Sequence, residues 1–377
     1  YWFPPVRTVG GAGLVLTVVL YPYVYLLARA AFLEQSVCVL EIGRTLGRGP
    51  WRIFTDIALP LARPAIATGV ALALMETLSD FGTVQHFGVD TFTTGIYRTW
   101  FGLGDSSAAA QLAAVLLGIV FIVFLLERAS RGGRRYHHTS RRYRHLPRFE
   151  LRGFKALAAV LACGLPLALG FLLPGGQMIA WVIEQVGTQD ATAFDSDFWL
   201  QAGNTLILGV GSAVLAVALA LFLSYAVRLH RGRTTRITVR LASMGYAVPG
   251  SVIAVGVLLP FGWLDHWLNG WTRDLFGISP GLIFSGTLFA LFFAYLVRFL
   301  AVSLNSVEAS LGKVTPSMDG AARSLGLTPL RTVFRVHVPI ISPSLLTAGL
   351  LVLVDVMKEL PATLILRPFD FNTLAVR

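Results

Sequence analysis

The sequence predicts an all-α membrane protein that crosses the bilayer about eight times. Of its 377 residues, 55% are hydrophobic and only 14% are charged, and the mean hydropathy is +0.68. A soluble chain of this length has about a quarter of its residues charged. The composition therefore favours a membrane protein, and the net charge of +11 is best explained by membrane topology.

Eight apolar runs approach the length of about 20 residues that a spanning helix needs. Several contain Gly or Pro, which membrane helices tolerate when neighbouring groups satisfy the freed backbone. The predicted spans are residues 9–32, 64–84, 108–126, 156–185, 201–227, 241–262, 281–303 and 343–366.

The loops between these runs alternate in charge. Four of them hold 22 of the 31 Lys and Arg residues, namely 33–63, 127–152, 228–240 and 304–342. The alternate loops, taken with both chain ends, hold five. Because positive residues mark the cytoplasmic side, the four basic loops are predicted inside and both ends of this sequence outside.

Segment 127–152 is predicted to be a basic cytoplasmic linker between two parts of the chain. It separates a first part, 1–126, with three predicted spans from a second part, 153–377, with five. Its nine Arg residues could bind RNA or anionic lipid, and a solvated connector beside lipid headgroups explains them better. Membrane lipid is therefore an expected partner and nucleic acid is not.

A polar segment between the first two spans returns later in the chain. The stretch LGRGPWRIFTDIALPLARP (46–64) aligns without a gap with LGLTPLRTVFRVHVPIISP (325–343), 279 residues further on. Identical pairs include Arg44 and Arg323, Leu46 and Leu325, Gly47 and Gly326, Pro50 and Pro329, Pro64 and Pro343, and Thr94 and Thr373. This pattern indicates a duplicated multi-helix unit. Both copies are predicted inside, so the repeat is parallel, about an axis along the membrane normal.

The glycines and prolines of the segment predict its local structure. Gly47 and Gly326 permit a sharp bend after a short helical turn. Pro60 and Pro339 are expected to end a short helix, and the next proline of each copy to begin a spanning helix. We therefore expect a short amphipathic helix parallel to the membrane in each copy. Its apolar residues, such as Trp51, suit contact with a partner protein; the alternative is an interfacial helix without one.

At these residues the sequence resembles the permease subunits of ATP-binding-cassette (ABC) importers. Their cytoplasmic signature reads E-A-A, three residues, Gly, nine residues, I-x-L-P. The first copy, about 41–60, reads Glu41, Ile42 and Gly43, with Gly43 in place of the second Ala, and its spacings fit through Gly47, Ile57, Leu59 and Pro60. The second copy, about 320–339, fits with Ala321, Ala322, Gly326, Val336, Val338 and Pro339. It has Gly320 in place of the leading Glu, and Asp319 stands one place earlier.

Two longer stretches are similar to the fused, two-half permeases of ferric iron importers: ALMETLSDFGTVQHFGVDTFTTGIYRTWFG and VDVMKELPATLILRPFDFNTLAVR. This resemblance covers nearly the whole chain and implies the type I ABC importer transmembrane fold, with about six spans in each half. It also implies that about three spans precede residue 1 and about one follows residue 377.

The resemblance further implies a mechanism and partners. A periplasmic ferric-iron-binding protein would deliver the substrate to a multi-pass permease in the bacterial inner membrane. Two ATP-binding cassette subunits would close on ATP-Mg and push on the two short helices, which drives alternating access. No cofactor is expected in this chain, which is not expected to be an enzyme. Its nearest approach to a P-loop, SLGKVT at 310–315, lacks the spacing G-x-x-x-x-G-K-[ST].

The span after each segment carries two acids four residues apart. Glu76 and Asp80 in the first copy correspond to Asp355 and Glu359 in the second. On one helix each pair would share a face, and Glu76 would lie about 18 Å from the inner end of its predicted span. Gly82 and Pro361 are expected to break the two helices just beyond.

Two roles are open for these four acids. Ionisable groups at such depth usually face a polar cavity, and carboxylates suit a hard cation, so the acids are predicted to line the substrate path. The alternative is structural, in which they pair with Lys358 or a neighbouring Arg, or cap helix ends. No metal site is assigned.

Other functions fit the sequence less well. Importers of thiamine, sulfate, molybdate and phosphonate share the signature, but anion carriers would be expected to place Arg or Lys along the path. An intramembrane enzyme would need a nucleophile with a base, or an H-E-x-x-H pattern, inside the spans, and neither is present. A passive channel would have no use for two ATPase-docking signatures.

Overall fold

The computed structural model describes residues 6–33, 35, 41, 43–130, 150–187, 195–229, 232–312 and 314–376. These ranges contain helices, turns and bends and no β-strand. In chain order the helices are α1 (Val9–Leu33), α2 (Pro50–Ser79), α3 (Gly82–His86), α4 (Phe92–Tyr97), α5 (Ser106–Ser130), α6 (Phe154–Gln185), α7 (Ser196–Leu229), α8 (Arg233–Ala242), α9 (Gly250–Phe276), α10 (Leu288–Leu311), α11 (Pro316–Ser324), α12 (Pro329–Met357) and α13 (Pro361–Leu366).

Within the described ranges, eight helices are long and apolar enough to cross a membrane, which confirms the predicted number of spans. They are α1, α2, α5, α6, α7, α9, α10 and α12. Each has between 24 and 34 residues. At about 1.5 Å per residue, each can therefore cross about 30 Å of hydrocarbon. The chain is a multi-pass, all-α membrane protein.

The predicted span 241–262 is displaced toward later residues in the structure. Ser243–Ala247 form a 3-10 turn, the backbone is extended at Val248, and α9 begins only at Gly250. It ends at Gly277, whose left-handed φ of 68° closes the helix. Polar residues in the last half of α9 concealed its length from a search for apolar runs.

The structure divides the chain into two compact units. Unit 1 comprises Tyr1–Thr94 and Gly118–Ala191, and unit 2 comprises Gly95–Leu117 and Thr192–Arg377. In unit 1, α1 and α2 approach closely, since a Cβ on Gly69 would lie 2.7 Å from the Cα of Val24.

These units do not coincide with the expected division at 127–152. Helix α6 belongs to unit 1 because it packs on α1. The two helices are so close at Gly170 that a Cβ on this residue would clash with the Val18 carbonyl. Residues 95–117 join unit 2, where the Tyr97 hydroxyl donates a hydrogen bond to the Pro361 carbonyl. Most of the expected linker lies outside the described residues, and the division into two halves stays a prediction about the duplicated sequence.

The core of unit 2 surrounds α10, which packs against α7, α9 and α12. Aliphatic side chains from four helices and the turn before α11 form one buried cluster there. Its buried members are Ala220, Val239, Leu300, Leu304, Val307, Leu311, Val314 and Ile341. This cluster supports the segment that contains the second signature.

Candidate functional site

The two copies of the signature segment have the same backbone structure. Gly47 and Gly326 have left-handed φ values of 74° and 76°, which a residue with a side chain rarely adopts. A helix restarts three residues later in each copy, with a proline in its first turn. The duplication read from the sequence is thus present in the fold.

The prolines at the end of the signature do not end a helix, so that expectation is wrong. Pro60 lies inside α2 and Pro339 inside α12, and both helices continue through them. A π turn precedes each proline, at Phe54–Ala58 and at Val333–His337. A proline ring crowds the carbonyl four residues earlier and donates no hydrogen bond to it. The wider π turn accommodates this defect, so the chain bends without breaking.

The structure places the signature residues in two settings. Gly43, which replaces the second Ala, is buried beside Ile53 and Ile57, while Glu41 is exposed. In the second copy Ala322 is buried and Ala321 exposed on α11. The remaining signature residues, half-buried or exposed, are Leu59, Pro60, Val336, Val338 and Pro339.

Matching apolar side chains are exposed around each bend. Leu46 and Trp51 in the first copy are 71% and 80% exposed, and their counterparts Leu325 and Leu330 are 81% and 67% exposed. Large apolar groups exposed at corresponding positions are typical of a protein-binding surface. We call these four residues the docking residues.

Asp319 connects the second signature segment to the spanning helices. Its Oδ2 accepts a hydrogen bond from Arg228 Nε on α7 at 2.8 Å, and its Oδ1 lies 2.6 Å from His337 Nε2 in the π turn of α12. Arg228 also donates to the carbonyl of Leu311 at the end of α10 and to the carbonyl of Val314 in the turn before α11. One side chain of α11 is therefore held by two spanning helices, and Arg228 connects it to the end of α10. Burial alone would raise the pKa of the Asp319 carboxyl, but hydrogen bonds from Arg228 and His337 outweigh it and hold the pKa below its ordinary value.

Arg228 and His337 were not predicted from the sequence as contacts of this segment. Arg228 lies 91 residues before Asp319, and only the fold brings them together. The first copy has Ala58 in place of His337, and its carbonyl accepts a neutral hydrogen bond of 2.8 Å from Gln35. The two copies are thus anchored by different chemistry.

The second acid of each pair lies beyond its helix, so the acids of a pair do not share one helical face as expected. Helix α2 ends at Ser79 and α12 at Met357. Asp80 has an extended backbone, and its carboxylate accepts hydrogen bonds from the Thr83 hydroxyl and the Val84 amide, both at 3.0 Å. It therefore caps α3 in the way that an acid caps a helix N-terminus.

Glu359 caps α13 in the same manner and is also paired. Its Oε1 accepts hydrogen bonds from the Ala362 amide at 3.1 Å and from Arg298 Nη1 at 3.2 Å. The two side chains of this ion pair are 5% and 10% exposed. Nearby, the hydroxyls of Tyr295 and Thr363 lie 2.6 Å apart. Buried charges persist where they are paired and hydrogen-bonded, so Glu359 holds the broken end of α12 in place.

The first acid of each pair lies within its helix. Asp355 forms an ion pair of 3.0 Å with Lys358, whose side chain is more than half exposed. Glu76 is half-buried in α2. These contacts match the structural alternative for Asp80, Asp355 and Glu359, while the substrate-path role of the four acids stays a prediction. Within the described ranges, no three His, Cys, Asp or Glu side chains are grouped as metal ligands would be.

The eight spans and the duplicated bend segments define a membrane permease of the kind that binding-protein-dependent importers use. Residues 6–133 match the family described as "Binding-protein-dependent transport system inner membrane component". The class of protein expected from the signature is confirmed.

Relatives cover most of the chain. The Fe(3+)-transport system permease protein FbpB 2 of Haemophilus influenzae is 28% identical over 372 residues, which are 96% of this chain and 68% of the relative. The ferric transport system permease protein FbpB of Actinobacillus pleuropneumoniae is 24% identical over 93% of this chain and 50% of its own length. The molybdenum transport system permease protein ModB of Escherichia coli K12 is 31% identical over 122 residues, 31% of this chain and 53% of its own. The chain thus spans 50% to 68% of the two ferric relatives.

Proposed function

We propose that this chain is the membrane permease of an ATP-driven importer that carries ferric iron across the bacterial inner membrane. It acts by alternating access and has no ATPase activity of its own. ATP-Mg is bound by two separate ATP-binding cassette subunits, and a periplasmic binding protein supplies the iron. The main support for this proposal is the duplicated bend with its docking residues, together with the match of residues 6–133 to a permease family.

The docking residues give each ATPase subunit a surface to contact. In each copy two large apolar side chains flank a glycine bend, and the helix after the bend continues directly into a span. Because α2 and α12 are continuous, a push on the bend acts on the whole length of these helices. In the second copy the push also reaches α7 and α10 through Asp319 and Arg228.

Ferric iron is favoured as the substrate by the relatives that cover most of the chain. The molybdenum relative covers only about a third of it, so molybdate is the second candidate. Oxyanions would need cationic groups along the path, whereas the acids at equivalent positions of α2 and α12 suit a hard cation.

The acids of the path are part of the proposal. We assign this role first to Glu76 and Asp355, because Asp80 and Glu359 are already engaged in capping. Changing Glu76→Gln and Asp355→Asn together should abolish uptake while ATPase binding is retained. The exposed acid Glu150 provides the control, because Glu150→Gln should leave uptake intact. Normal uptake by the double variant would contradict the role.

The docking role is tested by measuring the affinity of the ATPase subunits for the purified permease. Gly47→Arg combined with Gly326→Arg should abolish binding, because each change distorts a bend and adds a charge between docking residues. Gly88→Arg is the matched control, since Gly88 also has a left-handed φ, of 68°, but lies outside both segments. Equal binding by the double variant and the native permease would overturn the assignment.

A further inference from the structure

A cavity of about 510 Å³ lies within unit 2, beside the ends of α7 and α10. Its walls come from these two helices and from α8, and its apolar lining belongs to the buried cluster around α10. Its polar lining consists of Ser224, Arg228, Arg240, Ser243, Asn305 and Glu308.

Two opposite charges line the cavity without a partner. Arg240 on α8 and Glu308 on α10 form no ion pair with any residue in the described part of the chain. Arg228 differs, because its guanidinium is engaged with Asp319 and two carbonyls. The unpaired groups therefore offer one positive and one negative site to a ligand.

A buried hydroxyl in the same wall also has no partner. Ser224 is 5% exposed, and its Oγ makes no hydrogen bond to any described residue. A polar group buried without a hydrogen bond is unfavourable. A ligand with acceptor oxygens would satisfy both this hydroxyl and Arg240.

The cavity lies near the predicted cytoplasmic ends of α7 and α10. Ser224 is five residues before the end of α7, about 7 Å along the helix. The wall helix α8 is basic and exposes Ile237 and Leu241, which are one turn apart. A basic helix with an exposed apolar face is typical of segments that lie in the membrane interface.

We propose that this cavity binds a membrane phospholipid whose headgroup joins a phosphate to a primary ammonium group. The phosphate contacts Arg240 and Ser224, and the ammonium donates hydrogen bonds to Glu308. The charges of such a headgroup complement those of the cavity, and its acyl chains meet the apolar wall. The proposal requires only that the chain lies in a membrane and is independent of the transported substrate.

Native mass spectrometry of the full-length permease tests this site, with phosphatidylethanolamine, phosphatidylglycerol and phosphatidylcholine as probes. Phosphatidylglycerol lacks the ammonium, and the quaternary ammonium of phosphatidylcholine has no N–H to donate. The permease should retain phosphatidylethanolamine about tenfold more strongly than either. Equal retention of the three lipids would overturn the proposal.

Substitutions in the cavity test which residues contact the lipid headgroup. Arg240→Gln should weaken retention of phosphatidylethanolamine about tenfold, and Arg240→Lys should restore most of it, which separates lost charge from misfolding. Glu308→Gln should remove the preference for phosphatidylethanolamine over phosphatidylglycerol. Arg233→Gln, on the same helix but outside the cavity, should change neither. Unchanged lipid retention by Arg240→Gln would exclude this cavity as the binding site.

Discussion

Replacing Asp319 with Asn should detach α11 from the spans that hold it. The change preserves the shape of the side chain and removes the charge that pairs with Arg228 at 2.8 Å and meets His337 at 2.6 Å. Arg228 keeps its two carbonyl acceptors but loses its counter-charge. We therefore expect a less stable permease in which the second signature segment is the part that loosens.

The size of the effect follows from the exposure of the pair. The Arg228 and Asp319 side chains are 20% and 17% exposed, so the pair lies between surface pairs and fully buried ones. Surface pairs contribute about 0–1 kcal/mol, and breaking a buried pair costs about 3–5 kcal/mol. After allowance for solvent screening, we expect Asp319→Asn to lower the free energy of unfolding by about 2 kcal/mol.

The assay is denaturant unfolding of the purified permease, with amide hydrogen exchange to locate the change. Asp56→Asn is the matched control, because Asp56 pairs with Arg48 at 2.7 Å but both side chains are 45% exposed. Its effect should stay below about 0.5 kcal/mol. Equal losses in the two variants, or faster exchange away from α11, would show that Asp319 does not hold α11 in place.

The same pair makes stability depend on pH in a defined direction. The pKa of Asp319 is lower in the folded protein than its ordinary value. Its contribution is therefore complete above the pKa of the unfolded chain and is lost as the pH falls through the lower, folded value. The stability difference between the native permease and Asp319→Asn should be largest near about pH 7 and shrink toward about pH 3. A difference that grows on acidification would contradict the assigned pairing.

Three further predictions concern the glycines and the capping acid. Gly47→Ala and Gly326→Ala should each destabilise the permease by about 1–2 kcal/mol because of their left-handed φ, and lowered ATPase affinity should accompany the loss. Gly250→Ala should destabilise the permease, because its Cβ would clash with the buried ion pair of Arg298 and Glu359. Gly256→Ala is the control, because a Cβ there meets open space on the same helix. Equal free energies of unfolding for the two variants would contradict the prediction. Asp80→Ala should cost about 1 kcal/mol and speed amide exchange in α3, and unchanged exchange there would argue against capping.

Two features of the fold could be predicted from the sequence, namely the number of spans and the two bend segments. Apolar runs of about 20 residues located eight spans because a bilayer sets their length. The spacing of 279 residues located both bend segments because the same glycines and prolines impose the same backbone. The continuity of α2 and α12 could not be predicted, since a pattern of prolines does not show that a π turn will keep the helix continuous through them.

The polar contacts of the spans were also beyond prediction. Arg298 lies in an apolar run, and nothing in the sequence links it to Glu359, 61 residues later. Asp265, in the part of α9 beyond the predicted apolar run, is 1% exposed and accepts hydrogen bonds from the backbone of residues 283–285. Such pairs depend on tertiary packing, which a single sequence does not display.

We propose that this permease imports ferric iron when an ATPase drives it. The direct measurement is uptake of radiolabelled ferric iron by vesicles that contain the full-length permease, its ATPase subunits and its binding protein. Thiamine, sulfate, molybdate and 2-aminoethylphosphonate serve as parallel substrates. We predict saturable iron uptake that requires ATP and is lost when Gly47→Arg and Gly326→Arg are combined, with no transport of the other solutes. Transport of one of those solutes without transport of iron would contradict the claim.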